Sequence, residues 1–484
     1  MTVSKPKTIA LVAIIVLGLF VRLFQVDSVV LGWHSHRQAD TYSVTKNLAA
    51  NLSTFFLPTY HDLSHVQSGL PNPKGIRLVE LPLYNLLVVL LNNLTQLPLI
   101  ISHRLVVILA SLITAYLLYR LILPTKDYLA AIFALFWFTF LPFSIYYSRS
   151  VLPEMISVTL GIGSLYVFKK HPIYSALLLS LVMLIKPFFA ICLLPAFIYI
   201  FFKSKPTLRS FFITVIAFGL ALIPILLWRN LTSLYPQGVP SNAWLFNLSP
   251  HPVFPEWWRG YNLTLINQIE AFRPHWWYWL FYKRLVLMIL GGGLVIPYIV
   301  GLLKSHPLVG LNRALALGTF LYFAIVAGGN LRHDYYQIFT LPQIALSLGL
   351  GFSAILKYKK RFMAIPLLLI LSIYSLYTTT RLIYPNYQIY NSTQLHLSQI
   401  AADYVPPNAL VIAPAQGDTT YLYFLGRSGY PLEMDNFQSL ATLHQQDLYL
   451  VSTDINDYTH KVQKTGKVLW TGPNGIIIKI PYQP

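Results

Sequence analysis

Residues 33–47 read W-H-S-H-R-Q-A-D-T-Y-S-V-T-K-N and follow the first apolar run of the chain, residues 9–24. This stretch holds the densest set of ionisable groups in the first quarter of the sequence. If it is helical, Arg37, Asp40 and Asn47 lie on one face, because an α-helix repeats every ~3.6 residues. A carboxylate kept one turn from a guanidinium at a membrane boundary is costly, which makes Asp40 a candidate for a functional role.

The composition is that of an integral membrane protein. Hydrophobic residues make up 55% of the chain, charged residues make up 11%, and the mean hydropathy is +0.57. A soluble domain carries about 25% charged residues. Cys192 is the single cysteine and lies in an apolar run, which excludes a disulfide framework and a thiolate metal site.

The net charge of +19 is explained mainly by topology. Most lysines and arginines lie in short loops between apolar runs, as the positive-inside rule predicts for cytoplasmic loops. A phosphate-bearing lipid substrate would also favour an excess of cations. Nucleic acid is therefore not an expected partner.

Placing the cationic clusters in the cytoplasm predicts about eleven membrane spans. The N-terminus is then cytoplasmic, the first span is retained, and the loops 26–80 and 229–282 and the C-terminus are extracytoplasmic. We expect the chain in the cell (plasma or inner) membrane. The predicted spans are residues 9–24, 104–121, 128–147, 151–168, 173–185, 188–202, 211–228, 285–303, 315–327, 336–356 and 363–383.

Residues 81–102 form an uncharged run that hydropathy alone would make a further span. Counting it as a span would turn most later cationic clusters outward, unless residues 173–202 form one long helix. We therefore predict a juxtamembrane or re-entrant helix. It is entered through Glu80-Leu81-Pro82, since proline is well tolerated in the first turn of a helix.

From residue 386 the sequence has the pattern of a small α/β domain. Short strand-like runs are separated by turns rich in proline, glycine and asparagine. The predicted fold class is an all-α polytopic membrane protein, with a transmembrane catalytic domain over residues 1–385 and an extracytoplasmic α/β domain over residues 386–484. The predicted strands are residues 409–413, 448–452, 468–471 and 476–480.

Asp40 is the candidate general base. The plainer alternative is an interfacial carboxylate that pairs with Arg37 or Lys46. Glu80 opens the predicted juxtamembrane helix, where a carboxylate suits the positive end of the helix dipole. As an N-terminal cap, Glu80 would need no role in binding or catalysis.

A second set of polar residues lies at the outer ends of the middle spans. Arg149, in the turn of residues 146–154, is suited to clamp a phosphate, and Glu154 to orient it. The alternative is an arginine that snorkels and a glutamate in a first helical turn. Lys186 precedes Pro187 near the outer boundary, where an unpaired cation is costly, and this favours a phosphate partner.

Residues 330–336 read N-L-R-H-D-Y-Y and enter a later span. Arg332 and His333 are suited to bind a leaving phosphate, with Asp334 fixing the imidazole tautomer. A belt of interfacial tyrosines with a snorkelling arginine has almost the same pattern.

The loop 229–282 is rich in tryptophan, which favours an interfacial aromatic girdle over a sugar-binding platform. Four polar neighbours, Glu256, Arg259, Arg273 and His275, leave the platform open as an alternative. The tryptophans are Trp257, Trp258, Trp276, Trp277 and Trp279.

The case for a metal site rests on the first outer loop. It contains His34, His36, His61, Asp62 and His65, and no second motif fixes them as zinc ligands. An Asp-X-Asp pair that would hold Mg²⁺ or Mn²⁺ on a diphosphate is absent from the predicted outer boundaries. We therefore expect no required cofactor, with a divalent metal left as an alternative.

With these residues in view, the chain resembles the GT-C glycosyltransferases, in particular the family 39-like branch that includes protein O-mannosyltransferases and the bacterial aminoarabinose transferases of lipid A. The resemblance covers residues 9–384 and depends on the order and spacing of short motifs. About seven predicted spans precede the loop 229–282, which is similar to the module typical of the family. The motifs are Asp40 in the outer loop, Glu80-Leu81-Pro82-Leu83-Tyr84, Arg104-Leu105, Ser148-Arg149 with Pro153-Glu154, Ile185-Lys186-Pro187 and His333-Asp334-Tyr335-Tyr336.

The resemblance implies an enzyme that moves a sugar from a polyprenyl or dolichyl monophosphate to a lipid, glycan or protein acceptor, with inversion, on the outer face of the membrane. It implies Asp40 as the base and Arg149, Lys186, Arg332 and His333 as ligands of the lipid phosphate. The full predicted substrate-binding set is Arg37, Glu80, Tyr84, Arg149, Glu154, Lys186, Arg332, His333, Asp334 and Tyr336.

One feature departs from the family pattern. Close relatives often have Lys-Pro-Pro before the juxtamembrane helix, whereas this chain has Val79-Glu80-Leu81-Pro82. Lys74 or Arg77 is therefore expected to supply a cation for the lipid phosphate. Two other functions stay open at this level, a flippase or transporter of lipid-linked sugars and a ligase that uses a diphosphate-linked glycan.

Overall fold

The computed structural model describes residues 5–32, 34–240, 274–358 and 361–483. The described residues are mostly helical, and a sheet forms in the last part of the chain. The α-helices before residue 240 are α1 (Lys5–Arg22), α2 (Ser35–Ala50), α3 (Leu83–Thr95), α4 (Leu99–Ile122), α5 (Tyr128–Phe140), α6 (Pro142–Tyr147), α7 (Glu154–Phe168), α8 (Pro172–Ile185), α9 (Pro187–Lys203), α10 (Leu208–Leu220) and α11 (Ile223–Ser233).

Helices continue after residue 273. A short helical turn (Pro274–Trp276) leads into a π-helix (Trp277–Ile289). The following α-helices are α12 (Val295–Leu303), α13 (Val309–Ile325), α14 (Ala327–Arg332), α15 (Leu341–Leu356) and α16 (Arg361–Ile383). Short 3₁₀-helices occur at Leu52–Phe56, Leu123–Thr125, Pro236–Gly238, Asp334–Thr340 and Tyr384–Tyr387.

Every predicted span corresponds to helical structure, but several spans are interrupted. The predicted span 128–147 breaks where Pro142, which has no N–H, begins α6. The predicted span 285–303 breaks at Gly291 and Gly292, whose φ angles of 58° and 79° are left-handed. Hydropathy does not detect these breaks, because the residues on both sides are apolar.

The uncharged run of residues 81–102 does not form one helix. Helix α3 has 13 residues and ends at Gln96, where φ is 56°, before α4 begins beyond Pro98. A helix of this length spans about 20 Å, less than the ~30 Å hydrocarbon layer of a membrane. Helix α3 is therefore too short for a full span, and its juxtamembrane or re-entrant position stays a prediction.

By length and composition, four helices of the described residues could cross a membrane. They support a multi-pass membrane protein, although the number of spans and the side of each terminus stay predictions. Several shorter apolar helices accompany them. The long helices are Leu99–Thr125, Leu208–Ser233, Asp334–Leu356 and Phe362–Ala401.

The C-terminal part is an α/β unit with a five-stranded sheet of order β2-β1-β3-β5-β4. Strand β1 is parallel to β2 and β3, and β5 is antiparallel to β3 and β4. The predicted α/β pattern is confirmed, and the short strand β2 is an addition. The elements are α17 (Ser392–Ala401), β1 (Leu410–Ile412), α18 (Thr420–Leu425), β2 (Gly429–Tyr430), α19 (Phe437–His444), β3 (Leu448–Ser452), α20 (Asp457–Gln463), β4 (Lys467–Gly472) and β5 (Gly475–Ile480).

Helix α15 is buried over almost its whole length and packs closely against α12. The two backbones approach because glycines stand at the crossing, as is common where helices pack in membranes. A Cβ atom on Gly351 would overlap the carbonyl oxygen of Pro297, and one on Gly301 would overlap that of Ser347. Asn312 joins the crossing through a 2.7 Å hydrogen bond from Nδ2 to Oγ of Ser347.

We expect Gly351→Ala to destabilise the protein, because the added methyl group has no room between α12 and α15. Overpacking of this kind costs about 1–3 kcal/mol. The control is Gly219→Ala in α10, where an added Cβ meets no atom within 4 Å. Thermal melting in detergent should show a lower midpoint for Gly351→Ala alone, and equal midpoints for the two variants would contradict the packing described here.

Candidate active site

Helix α2 holds the Asp40 carboxylate inside the protein. The residue is 1% exposed, and both of its oxygens have partners. Oδ2 accepts a hydrogen bond from Nη2 of Arg77 at 2.7 Å, and Oδ1 accepts one from Oγ1 of Thr419 at 2.7 Å. Nε2 of His61 lies 3.6 Å from Oδ1. The carboxylate is therefore fixed from two sides by groups distant in sequence.

These partners stabilise the charged form of Asp40. Burial by itself would raise the pKa of the carboxyl, because it disfavours a charge. The guanidinium of Arg77, the nearby imidazole of His61 and the hydrogen bond from Thr419 outweigh burial and hold the pKa of Asp40 well below its ordinary value. Asp40 is thus an anion throughout the physiological pH range.

The pairing of Asp40 with Arg37 or Lys46, which was the plainer alternative, does not occur. Arg37 forms an ion pair with Glu80 at 2.5 Å, and Nζ of Lys46 donates to the carbonyl oxygen of Gly426 at 3.1 Å. Glu80 does not cap α3 either, since no side chain caps that helix. Its carboxylate is bound by cations instead.

Buried charges next to Asp40 form a chain of alternating sign. Arg37 pairs with Glu80, Glu80 pairs with Lys186 at 3.3 Å, and Lys186 pairs with Glu154 at 3.2 Å. Burial would raise the pKa of Glu80, but Arg37 and Lys186 together lower it to about 2. The chain joins the first outer loop to the ends of α7 and α8, and so brings four of the predicted residues together.

A cavity of about 440 Å³ lies beside Asp40 and has two chemically different ends. Among the described residues that line it, Asp40 is the one carboxylate. The polar end is lined by His36, Arg37, Asp40, Arg77, Lys186, Arg229 and His333. The apolar end is lined by Met183, Phe188, Ile191, Ile225, Leu226 and Trp228. The cavity is therefore suited to an amphiphilic anion.

The apolar end of the cavity is continuous with the outside of the helical bundle. Leu226 lines the cavity and is nevertheless 61% exposed, and its neighbours Leu222 and Leu227 are exposed as well. Helix α11 carries Leu226 and Leu227, begins directly after Leu222 and packs mainly on α8. A hydrocarbon chain in the cavity would therefore leave it along α11.

Residues 330–336 contribute to the cavity in part. His333 and Tyr336 line it, as predicted for substrate-binding residues. The carboxylate of Asp334, predicted to fix the imidazole of His333, lies 2.9 Å from Nε2 of His34. Arg332 is exposed and is not among the lining residues.

The structure does not bring Arg149 or Tyr84 to the cavity. Nη2 of Arg149 donates to the carbonyl oxygen of Gln25 at 2.6 Å, and its guanidinium lies over the ring of Tyr387. The hydroxyl of Tyr84 contacts Nδ1 of His103 at 2.9 Å. Arg77, named from the sequence as a substitute cation for the lipid phosphate, lines the cavity and pairs with Asp40.

The tryptophan-rich loop is described in part. Trp276 is buried and its indole N–H donates to the carbonyl oxygen of Phe323, whereas Trp277 and Trp279 are about half exposed. These positions fit an aromatic girdle. The remaining tryptophans and three of the polar neighbours, Trp257, Trp258, Glu256, Arg259 and Arg273, lie outside the described residues.

Two histidines of the first outer loop contact different carboxylates. His61 lies next to Asp40, and His34 next to Asp334. Within residues 5–32, 34–240, 274–358 and 361–483, no three His, Cys, Asp or Glu side chains are grouped as a metal site. Metal dependence stays a matter for experiment.

The contact of Thr419 with Asp40 was not predicted from the sequence. It follows β1 of the C-terminal unit and lies nearly 380 positions from Asp40, so no local pattern connects them. His61 was considered as a zinc ligand and not as a partner of Asp40. Thr419 is recognisable only after the C-terminal unit is placed against the first outer loop.

Comparison with known proteins gives the fold. No family model matches the chain, and no curated protein matches its sequence. The chain is similar to the solved structure of ArnT from Cupriavidus metallidurans bound to undecaprenyl phosphate, with 12% identity, a TM-score of 0.63 and coverage of 99% of this chain and 98% of that chain. The apo state of the same protein gives 11% identity, a TM-score of 0.62 and coverage of 98% and 97%.

The chain therefore shares the fold of ArnT, and the GT-C fold predicted from the short motifs is confirmed at the level of the fold. The similarity to ArnT extends over nearly the full length of both chains. At 12% identity this similarity concerns the fold, so the activity is argued from the site.

We expect Glu80→Gln to destabilise the protein, because Arg37 and Lys186 would lose the carboxylate between them. Removing one partner of a buried ion pair costs about 3–5 kcal/mol. The control is Glu433→Gln, at an exposed position of the C-terminal unit. Thermal melting should show a clear loss for Glu80→Gln and none for the control; a variant as stable as wild type would mean that the charge chain is not structural.

Proposed function

We propose that this chain is an integral membrane glycosyltransferase that takes a sugar from a polyprenyl (or dolichyl) monophosphate carrier. The acceptor receives the sugar on the extracytoplasmic face, with inversion, and Asp40 is the base. The observation that carries the proposal is the cavity, in which one carboxylate and several cations face an apolar end that opens along α11. A lipid monophosphate has the same division into an anion and a hydrocarbon chain.

The charges of the cavity fit a monophosphate. Arg37, Arg77, Lys186 and Arg229 line it, so several cations surround one carboxylate. Lys186 is already balanced by Glu80 and Glu154, and a phosphate would share its three N–H donors with them. The solved ArnT structure bound to undecaprenyl phosphate, which has the same fold, supports a polyprenyl carrier.

The chemistry follows from these positions. The oxygen of the acceptor hydroxyl bonds to the anomeric carbon as its proton passes to Asp40. The bond between that carbon and the phosphate oxygen breaks, and its electron pair leaves with the lipid phosphate. Cations stabilise the leaving phosphate, and one displacement of this kind inverts the anomeric configuration.

Arg77 links donor binding to the basicity of Asp40. Its charge holds the pKa of the Asp40 carboxyl down, which makes the free carboxylate a weak base. A donor phosphate next to Arg77 would offset part of that charge. Asp40 would then be a stronger base in the donor complex than in the free protein.

The topology predicted from the sequence completes the proposal. About eleven spans place the N-terminus in the cytoplasm and the C-terminal α/β unit outside. Asp40 and its cavity then lie at the outer boundary of the membrane. There the polyprenyl tail stays in lipid while the phosphate meets the acceptor.

Asp40→Asn should abolish transfer, because an amide cannot accept the proton of the acceptor hydroxyl. Arg77 loses its partner in this variant, so folding is checked by thermal melting, and we expect the folded protein to retain binding of undecaprenyl phosphate. The assay follows release of undecaprenyl phosphate from a panel of undecaprenyl-phosphate-linked sugars, with cell-envelope lipids, glycans and proteins as acceptors. The control is Asp435→Asn, whose side chain is 93% exposed.

Full turnover by Asp40→Asn would remove the base assignment. A wild-type protein that releases no carrier from any monophosphate donor, or that uses diphosphate-linked glycans alone, would contradict the proposed function itself.

Lys186→Gln should weaken binding of undecaprenyl phosphate at least ~10-fold, since a charge-assisted hydrogen bond contributes about 1.5–3 kcal/mol. Binding is measured by titration into purified protein, with folding checked by thermal melting. Lys169→Gln, at an exposed position, is the matched control and should bind as wild type does. Equal affinities for both variants would show that Lys186 does not contact the phosphate.

A further inference from the structure

The C-terminal α/β unit is joined to the first outer loop by backbone hydrogen bonds. The N–H of Gly429 donates to the carbonyl oxygen of His61 at 2.8 Å, and the N–H of Leu63 donates to that of Gly429 at 2.9 Å. Residues 61–63 thus extend the edge of the sheet next to β2. Beside this joint, the rings of Tyr42 in α2 and Tyr423 in α18 meet edge to face at 5.0 Å.

The turn after β1, at Gln416 and Gly417, packs closely against the first outer loop. Gln416 and Gly417 both have left-handed φ angles, 53° and 86°. The N–H of Gly417 donates to the carbonyl oxygen of Pro431 at 2.9 Å, and a Cβ atom at this position would lie 2.9 Å from Cγ1 of Val66. The turn therefore has little freedom, and it directs the start of α18 towards α2.

Two neighbouring threonines, Thr419 and Thr420, follow this turn and make different contacts. Oγ1 of Thr420 lies 3.0 Å from Oγ of Ser35, which is a contact between the two parts of the chain and nothing more. Oγ1 of Thr419 donates to Oδ1 of Asp40 at 2.7 Å. Both threonines are 1% exposed. Oγ1 of Thr419 also lies 3.3 Å from the carbonyl oxygen of His36, so both threonines contact α2 and Thr419 alone of the two contacts the carboxylate.

The contact of Thr419 determines how the carboxylate of Asp40 can be oriented. Arg77 binds one oxygen and Thr419 the other, so rotation of the carboxylate would break one of the two bonds. Each carboxylate oxygen has a further acceptor site. These two hydrogen bonds fix the plane of the carboxylate. The remaining acceptor positions of its oxygens therefore keep a constant orientation relative to the cavity that Asp40 lines.

We propose that Thr419 is a positioning residue for Asp40, and that the C-terminal α/β unit in this way completes the active site. The inference rests on the proposed function, since it concerns the orientation of the base. Thr419 acts through Asp40 and needs no contact with the substrate. Its loss is therefore expected to affect turnover and not the binding of the donor.

The experiment compares Thr419→Val, Thr419→Ser and Thr420→Val in the full-length protein, with the carrier-release assay and with titration of undecaprenyl phosphate. Thr419→Val should lower kcat about 10- to 100-fold, the expected effect of losing a hydrogen bond to a charged group. The donor KM and the affinity for undecaprenyl phosphate should change less than about twofold, a difference of no more than ~0.4 kcal/mol. Thr419→Ser should restore kcat, and Thr420→Val should retain it.

Several results would overturn the inference. They are a wild-type kcat in Thr419→Val, an equal loss in Thr420→Val, or no rescue by Thr419→Ser. If Thr419→Val does not fold, Thr419→Ala replaces it, and a kcat equal to wild type would again contradict the inference. An inactive wild-type protein would contradict the proposed function and the inference together, whereas an active one with unaffected Thr419→Val would contradict the inference alone.

Discussion

The ion pair between Asp40 and Arg77 is the interaction on which the site depends. A carboxylate in a buried position would take up a proton unless a cation balanced it. Arg77 supplies that cation, and the alternating chain from Arg37 to Glu154 balances the remaining charges nearby. Because each of these charges has a partner, several charges can be buried together at the polar end of the cavity. Electrostatic interactions with a phosphate would be stronger at such a buried position than in water.

This arrangement needs three parts of the chain that are far apart in sequence. The first outer loop supplies Asp40 and Arg77, the break between α8 and α9 supplies Lys186, and the C-terminal unit supplies Thr419. The helical bundle supports the first two. The C-terminal unit contacts the second oxygen of the Asp40 carboxylate, whereas the described residues that line the cavity all lie between positions 36 and 336.

The helices and several residues of the cavity could be predicted from the sequence, because both depend on local patterns. Apolar runs located the helices, and short motifs located Asp40, Lys186 and His333, all of which line the cavity. Breaks within apolar runs were missed, because glycine and proline effects do not alter hydropathy. A motif also predicted Arg149 as a phosphate ligand, but Arg149 lies away from the cavity because its guanidinium donates a hydrogen bond to the carbonyl oxygen of Gln25. The Thr419 contact could not be predicted, because it arises from the docking of two units.

The most direct test is a structure of the protein with undecaprenyl phosphate bound. The account predicts a phosphate within about 4 Å of Nζ of Lys186 and of the guanidinium of Arg77, the distance of an ion pair. The polyprenyl tail should leave along α11 past Leu226, with Asp40 facing the space next to the phosphate. A phosphate bound elsewhere, with Asp40 remote from it, would contradict the account.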